Sequence, residues 1–173
     1  MTIELLDLHP APADLRRLVE QGLKQSPRQL PAWLLYDAEG SRLFTEICKQ
    51  PEYSLTRTEI ALLRSHAGAI AAAVGPGVMV EFGIGNARKV SPLLGTGQVR
   101  TFVALDISTT ALQNALKGLA EEHPAIAMLG ICCDHSQLRD LPEHPWLAGQ
   151  RRIGFFPGSS LGNFSPTDAI ALL

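Results

Sequence analysis

Four groups of residues in this 173-residue chain have types and spacing suited to holding a nucleotide-like ligand: Glu81-Phe-Gly-Ile-Gly85, Asp106, Asp134, and the loop from Gly158 to Asn163. Each stands at the end of a short apolar run of the kind that forms a buried strand. Gly83 and Gly85 allow the backbone a sharp turn and a close approach to a ligand. Asp106 follows Gly85 by about the twenty residues that set an acid beside a ribose bound over a glycine loop. In an open parallel sheet, ligands bind outside the carboxyl ends of the strands, so the four groups converge on one edge. Caps and turns would account for any one of them. The set together points to a pocket for an adenosine-containing ligand.

The continuation of the glycine loop narrows the ligand. A dinucleotide fingerprint calls for a third glycine where this chain has Arg88, and a phosphate-binding loop calls for Gly-Lys-Ser/Thr after four intervening residues, which Gly83 to Lys89 does not supply. Lys89 is expected in the first turn of the next helix, where a cation opposes the helix dipole and calls for a compensating anion. The carboxylate of S-adenosyl-L-methionine is one such anion. A solvated lysine fits the spacing equally well.

The elements that must position these residues follow from periodicity. A helix is expected from about Asp14, its N-cap, to Lys24, with Leu15, Leu18, Val19 and Leu23 at helical spacing. Asp37 to Gly40 reads as a turn and Ser41 to Lys49 as a short helix stopped before Pro51. Thr56 and Glu59 form a capping box that opens a helix to about Val74, ended by Gly75-Pro-Gly77. Strands are then expected at Val78–Phe82, Val99–Leu105, Ile126–Cys133 and Arg152–Phe156. Between them lie helices at Lys89–Leu94 and at Thr109–Glu122, the latter capped by Ser108 and buried through Ala111, Leu112, Ala115, Leu116 and Leu119. Ser165-Pro-Thr-Asp168 starts a last helix. The expected architecture is α/β, with residues 1–75 a helical region and 76–173 an incomplete ligand-binding α/β domain. Four strands leave Phe155 and Phe156 on an open edge, so the chain reads as truncated after the fourth strand, or as one whose edge a second copy or a partner chain covers.

Composition agrees with a soluble globular protein: 46% hydrophobic, 18% charged, net charge −2. The interspersed charges argue against nucleic acid or an anionic membrane as partner and for a small molecule. The acidic start, Met-Thr-Ile-Glu-Leu-Leu-Asp, and the lack of a long apolar run make cytoplasmic the expected location. Cys48, Cys132 and Cys133 show no metal spacing and read as reduced structural thiols. His66 and His123 read as solvated helix-end residues, and His135 and His144 flank loops. None of these histidines has the context of a metal site or a triad.

Five blocks carry a resemblance. Trp33-Leu-Leu-Tyr-Asp-Ala-Glu-Gly-Ser-Arg-Leu-Phe44, Pro51-Glu-Tyr-Ser-Leu-Thr-Arg-Thr-Glu59, Val80-Glu-Phe-Gly-Ile-Gly-Asn-Ala-Arg-Lys89, Leu105-Asp-Ile-Ser108 and Gly158-Ser-Ser-Leu-Gly-Asn-Phe164 resemble, in order, the histidine N-alpha-methyltransferase family of ergothioneine biosynthesis. The resemblance implies a Rossmann-like class I methyltransferase with S-adenosyl-L-methionine as cofactor. It implies that Glu81, Gly83 and Gly85 form the cofactor loop, with Lys89 on the cofactor's carboxylate, Asp106 on its ribose and Asp134 near its adenine. Tyr36 and Tyr53 would line the substrate pocket, and Asn163 would hold the amino-acid head group with Gly158 nearby. The implied reaction, in-line attack of a neutral amine on a sulfonium methyl, chiefly requires positioning, so no metal and no catalytic residue are assigned. Electron-rich faces at Tyr36 and Tyr53 would also suit a methylated ammonium. Two positions depart from the family's pattern: Ser54 stands where a second aromatic is usual, and His135 where a Phe is usual. The competing reading is a noncatalytic nucleotide-binding or assembly module.

Overall fold

The computed structural model describes residues 2–8, 14–35, 37–136 and 138–172. Its centre is a parallel sheet of five strands: β1 (Thr2–Asp7), β2 (Gly77–Phe82), β3 (Val99–Asp106), β4 (Ala127–Cys132) and β5 (Arg152–Phe155). They lie in the order β1-β4-β3-β2-β5, and every pairing is parallel. The helices are α1 (Leu15–Lys24), α2 (Ala38–Lys49), α3 (Leu55–Val74), α4 (Ser91–Leu94), α5 (Thr109–Glu122) and α6 (Pro166–Leu172). This is the Rossmann-like α/β arrangement, with helices preceding the sheet's central strands.

A parallel sheet covered on both faces buries alternate residues of each strand in opposite layers. Met79, Phe102, Ala104, Met128 and Cys132 face the layer built by α4, α5 and the inner side of α3. Val78, Val80, Val103, Leu105, Leu129, Ile131 and Cys133 face the other, closed by Leu147 and by the partly buried Leu138, Leu141 and Trp146. Cys132 and Cys133 thus lie on opposite faces, as adjacent strand residues must, and both are free thiols. The Cys133 thiol is pushed up to about 11 by burial. Helix α5 has the expected bounds, with Ser108 Oγ accepting the Ala111 N–H at 3.2 Å.

The structure corrects several expectations. The first strand was not anticipated: Thr2 to Asp7 pairs with Ala127 to Cys132 and makes five strands of the expected four. Only Ile3 and Leu6 of β1 are partly buried, and they pack against opposite layers, so the burial of this edge strand shows no two-residue alternation. At the other edge β5 is only four residues long, and Phe155 packs against the core rather than lying bare. Helix α2 starts three residues early because Asp37 caps it, its carboxylate accepting the Gly40 N–H at 2.7 Å. Helix α4 starts only at Ser91, which leaves Lys89 in the preceding turn rather than in a helix.

The capping box at Thr56 and Glu59 is also absent. Helix α3 already begins at Leu55, after Ser54, without a side-chain cap, and Glu59 turns its carboxylate elsewhere. His123 is not solvated: it is largely covered and sits 3.0 Å from Ser91 Oγ. No helix among the described residues is long and apolar enough to cross a membrane.

Candidate functional site

The strand order decides where a ligand fits. From β2 the chain builds β3 and then β4 on one side, and returns to place β5 on the other. The loops after β2 and β5 therefore part from one another, opening the crevice where open α/β sheets bind their ligands.

On the β2 side, Gly83 and Gly85 have φ of 76° and 53°, conformations that a side chain would strain, and the space where a Cβ would sit is open at both. Hydrogen bonds hold this loop against the end of β3: the Gly83 N–H reaches the Leu105 carbonyl at 2.8 Å, and the Gly85 N–H reaches Asp106 Oδ2 at 3.4 Å. Asp106 Oδ1 also accepts the Ser108 N–H at 3.0 Å. Asp134, beyond β4, accepts from both the amide and the hydroxyl of Ser136. The structure thus brings the glycine loop and Asp106 into contact and sets Asp134 at the neighbouring strand end.

Glu81 lies within β2 and is 1% exposed, the one buried charged residue among the described residues. Its Oε2 has no hydrogen-bond partner. Burial drives its pKa well above the usual carboxylate range; Lys89 opposes this, and Asp106 and Glu59 reinforce it. Glu81 therefore sits in the combined field of one lysine and two further carboxyl groups.

The lysine's partner is protein. Lys89 Nζ lies 2.8 Å from Glu59 Oε2, with the two side chains 18% and 30% exposed. Glu59 Oε1 accepts the Gly158 N–H at 2.8 Å. Gly158 has φ of 80°, and a Cβ there would come within 2.7 Å of Lys89 Nζ. The backbone conformation favours glycine at this position, and a side chain there would push the ammonium group from its place. Glu59, in α3, is the residue that sequence reasoning missed, because a Thr-x-x-Glu spacing is also the spacing of a cap.

A group of aromatic rings at the same edge was missed as well. Phe82 meets Phe156 at 5.2 Å and His135 at 6.0 Å, centroid to centroid, and Phe164 lies 6.3 Å from Phe156 and 6.5 Å from His135. These rings come from three strand ends and the last loop, so their meeting follows from the register of the sheet and not from any sequence spacing. Burial lowers the His135 pKa, against the opposing charges of Asp134 and Asp106, and favours the neutral imidazole.

Of the residues expected to face a substrate, Asn163 lies in a single 3-10 turn, Ser160–Asn163, beyond Gly158. Tyr53 is half-buried in the connection between α2 and α3, its ring edge-on to Phe44 at 6.1 Å. Tyr36 lies outside the described residues. An open cleft of about 500 Å3 between α3 and α4, lined by Arg64, Arg88, Ser91 and Glu122 among others, contains none of the expected site residues.

The geometry fits a nucleoside ligand: an open glycine loop, an acid at the next strand end and an orphaned buried carboxyl oxygen beside a lysine. Comparison with known proteins agrees. Residues 15–173 match the family model described as histidine-specific methyltransferase, SAM-dependent. The chain is 36% identical over 156 residues to the histidine N-alpha-methyltransferase of Mycolicibacterium smegmatis, covering 88% of this chain and 47% of that protein. It is 34% identical over 157 residues to the protein of that name from Mycobacterium tuberculosis, covering 88% and 47%. It is also 35% identical over 155 residues to ergothioneine biosynthesis protein 1 of Neurospora crassa, covering 87% and 18%. The chain thus spans about half the length, or less, of the curated relatives it matches. With a family model matched over nearly its whole length, this chain belongs to the SAM-dependent, histidine-specific methyltransferase family.

Proposed function

We propose that this chain carries the cofactor cleft of an S-adenosyl-L-methionine-dependent N-methyltransferase acting on the α-amine of an amino acid, with L-histidine the first candidate. The observation that carries this reading is the hydrogen-bonded unit of Gly85 and Asp106 at the topological switch point, facing the Gly158–Asn163 loop across the crevice. The family and the names of the relatives support the substrate class.

In this reading Gly83 and Gly85 admit the cofactor close to the backbone, Asp106 accepts from its ribose, Asp134 stands beside its adenine and Lys89 meets its carboxylate. When bound, S-adenosyl-L-methionine supplies an electrophilic sulfonium methyl. The protein's own task is to hold an amine neutral and in line, and to keep competing water away. Tyr36, Tyr53 and Asn163 are the residues proposed to orient that amine, with Gly158 shaping the loop that presents Asn163.

Calorimetry with S-adenosyl-L-methionine and S-adenosylhomocysteine tests the cofactor claim, and a folded chain that binds neither removes it. Mass spectrometry of histidine incubated with the cofactor then tests turnover. Cofactor binding with no methylated product from histidine or other amino acids would favour a noncatalytic module. Asn163→Ala separates the two halves of the site: cofactor affinity should survive while amino-acid-dependent turnover is lost.

A further inference from the structure

One carboxylate bridges the crevice. Glu59 comes from α3, which precedes the sheet's central strands, yet its two oxygens engage the two lips of the switch-point opening: Oε2 takes Lys89 Nζ on the β2 side, and Oε1 takes the Gly158 N–H on the β5 side, each at 2.8 Å. Both contacts are partly shielded from water, with Lys89 the more covered partner, and charge-assisted hydrogen bonds in such a setting hold geometry better than surface ion pairs do. The lysine ammonium sits against the Gly158 backbone, where a Cβ would displace it. Glu81, whose buried Oε2 has no hydrogen-bond partner, lies within charge range of Lys89, so without Glu59 the ammonium would have a second carboxyl group to turn to.

Resting on the cofactor reading above, we infer that Glu59 is a positioning residue: it fixes Lys89 and the Gly158 loop as one unit across the crevice, and so couples α3 to the cofactor site. Lys89 contacts the cofactor in this scheme and Glu59 acts through it. Sequence spacing left Lys89 open between a ligand anion and solvent. The structure supplies a protein anion that sets the direction from which the ammonium meets one.

A double-mutant cycle on the full 173-residue chain tests this, with S-adenosylhomocysteine as the calorimetric probe. Glu59→Gln keeps an acceptor for the Gly158 N–H and spares the fold, but ends the ion pair with Lys89. It should weaken probe binding about tenfold, the scale of losing one charge-assisted hydrogen bond. Lys89→Met should weaken it by at least as much, and Glu59→Gln should add little to Lys89→Met. Unchanged or tighter binding in Glu59→Gln overturns the inference, as do two losses that simply multiply. A second readout needs no ligand: the Gly158 amide, followed by NMR hydrogen exchange, should exchange faster in Glu59→Ala and stay protected in Glu59→Gln. An amide equally protected in wild type and Glu59→Ala overturns the coupling even if the wild-type chain binds no probe. Failure of the wild type to bind, with the amide behaving as expected, would remove the cofactor reading alone.

Discussion

Asp106 Oδ2 accepts the backbone N–H of Gly85 at 3.4 Å, joining the end of β3 to the loop after β2. The bond is long, so it steadies the loop while leaving the carboxylate lone pairs for a further donor. Asp106→Ala should therefore weaken S-adenosylhomocysteine binding by about 1 to 3 kcal/mol, the usual loss for a buried hydrogen-bond partner. Calorimetry reads this directly. An affinity equal to wild type in a folded variant would place the ribose elsewhere.

Glu81 gives a prediction about pH. Its folded-state pKa is raised by burial, so the folded chain binds the proton more tightly than the unfolded chain does. Its contribution to stability is thus full at pH below the unfolded carboxylate range and is lost as pH rises toward the folded value. Glu81→Gln keeps the shape without the ionisation. The melting temperature of Glu81→Gln relative to wild type should increase as pH rises from about 4.5, the ordinary carboxylate value. A difference that does not vary with pH, followed by circular dichroism, would show that Glu81 does not titrate as its burial requires.

His135 should behave in the opposite sense. Burial among Phe82, Phe156 and Phe164 lowers its pKa, so the unfolded chain takes up a proton more readily than the folded one. Stability is then lost as pH falls below the unfolded value of about 6.5. His135→Phe keeps a ring in the cluster and removes the titration. Thermal melts between pH 7 and pH 5, a window of about two units around the histidine range, should show wild type losing stability relative to the variant. Parallel curves would contradict the assignment.

Gly130 tests the edge strand. A Cβ built at this position of β4 would lie 2.5 Å from Leu5 Cδ2 and 2.7 Å from Leu116 Cδ1, between β1 and α5. Gly130→Val should destabilise the chain by about 1 to 3 kcal/mol through overpacking. Leu5→Ala should partly relieve that loss when combined with it, because it frees one of the two obstructed sides. Denaturant titration measures both. Strictly additive losses would mean that β1 does not pack over Gly130.

Much of the sheet was legible because buried parallel strands are largely apolar runs: β2, β3 and β4 are such runs, followed or closed by Glu81-Phe82, Asp106 and, just beyond β4, Asp134, while Ile153 and Phe155 ahead of Pro157-Gly158 mark the short β5. Helix α5 was legible for a related reason: Leu112, Ala115, Leu116 and Leu119 lie along one face, and that face is the one buried. The strand β1 was not, because an exposed edge strand needs little alternation to pair through its backbone.

The residue types by themselves determined the α/β class, the glycine loop after β2 and the acid at the next strand end, since each depends on local backbone freedom or on a periodic apolar pattern. Tertiary structure alone decided what those residues meet. Glu59 and Gly158 are far apart in the chain, as are Phe82 and His135, and each pair depends on strand order, register and the packing of α3 against the sheet. No spacing in the sequence encodes such a meeting, because a side chain's partner across a crevice is set by where the backbone places both. That is why Lys89 reads in the sequence equally as a ligand contact or a solvated cation, and stands as one arm of a Glu59-centred bridge in the fold.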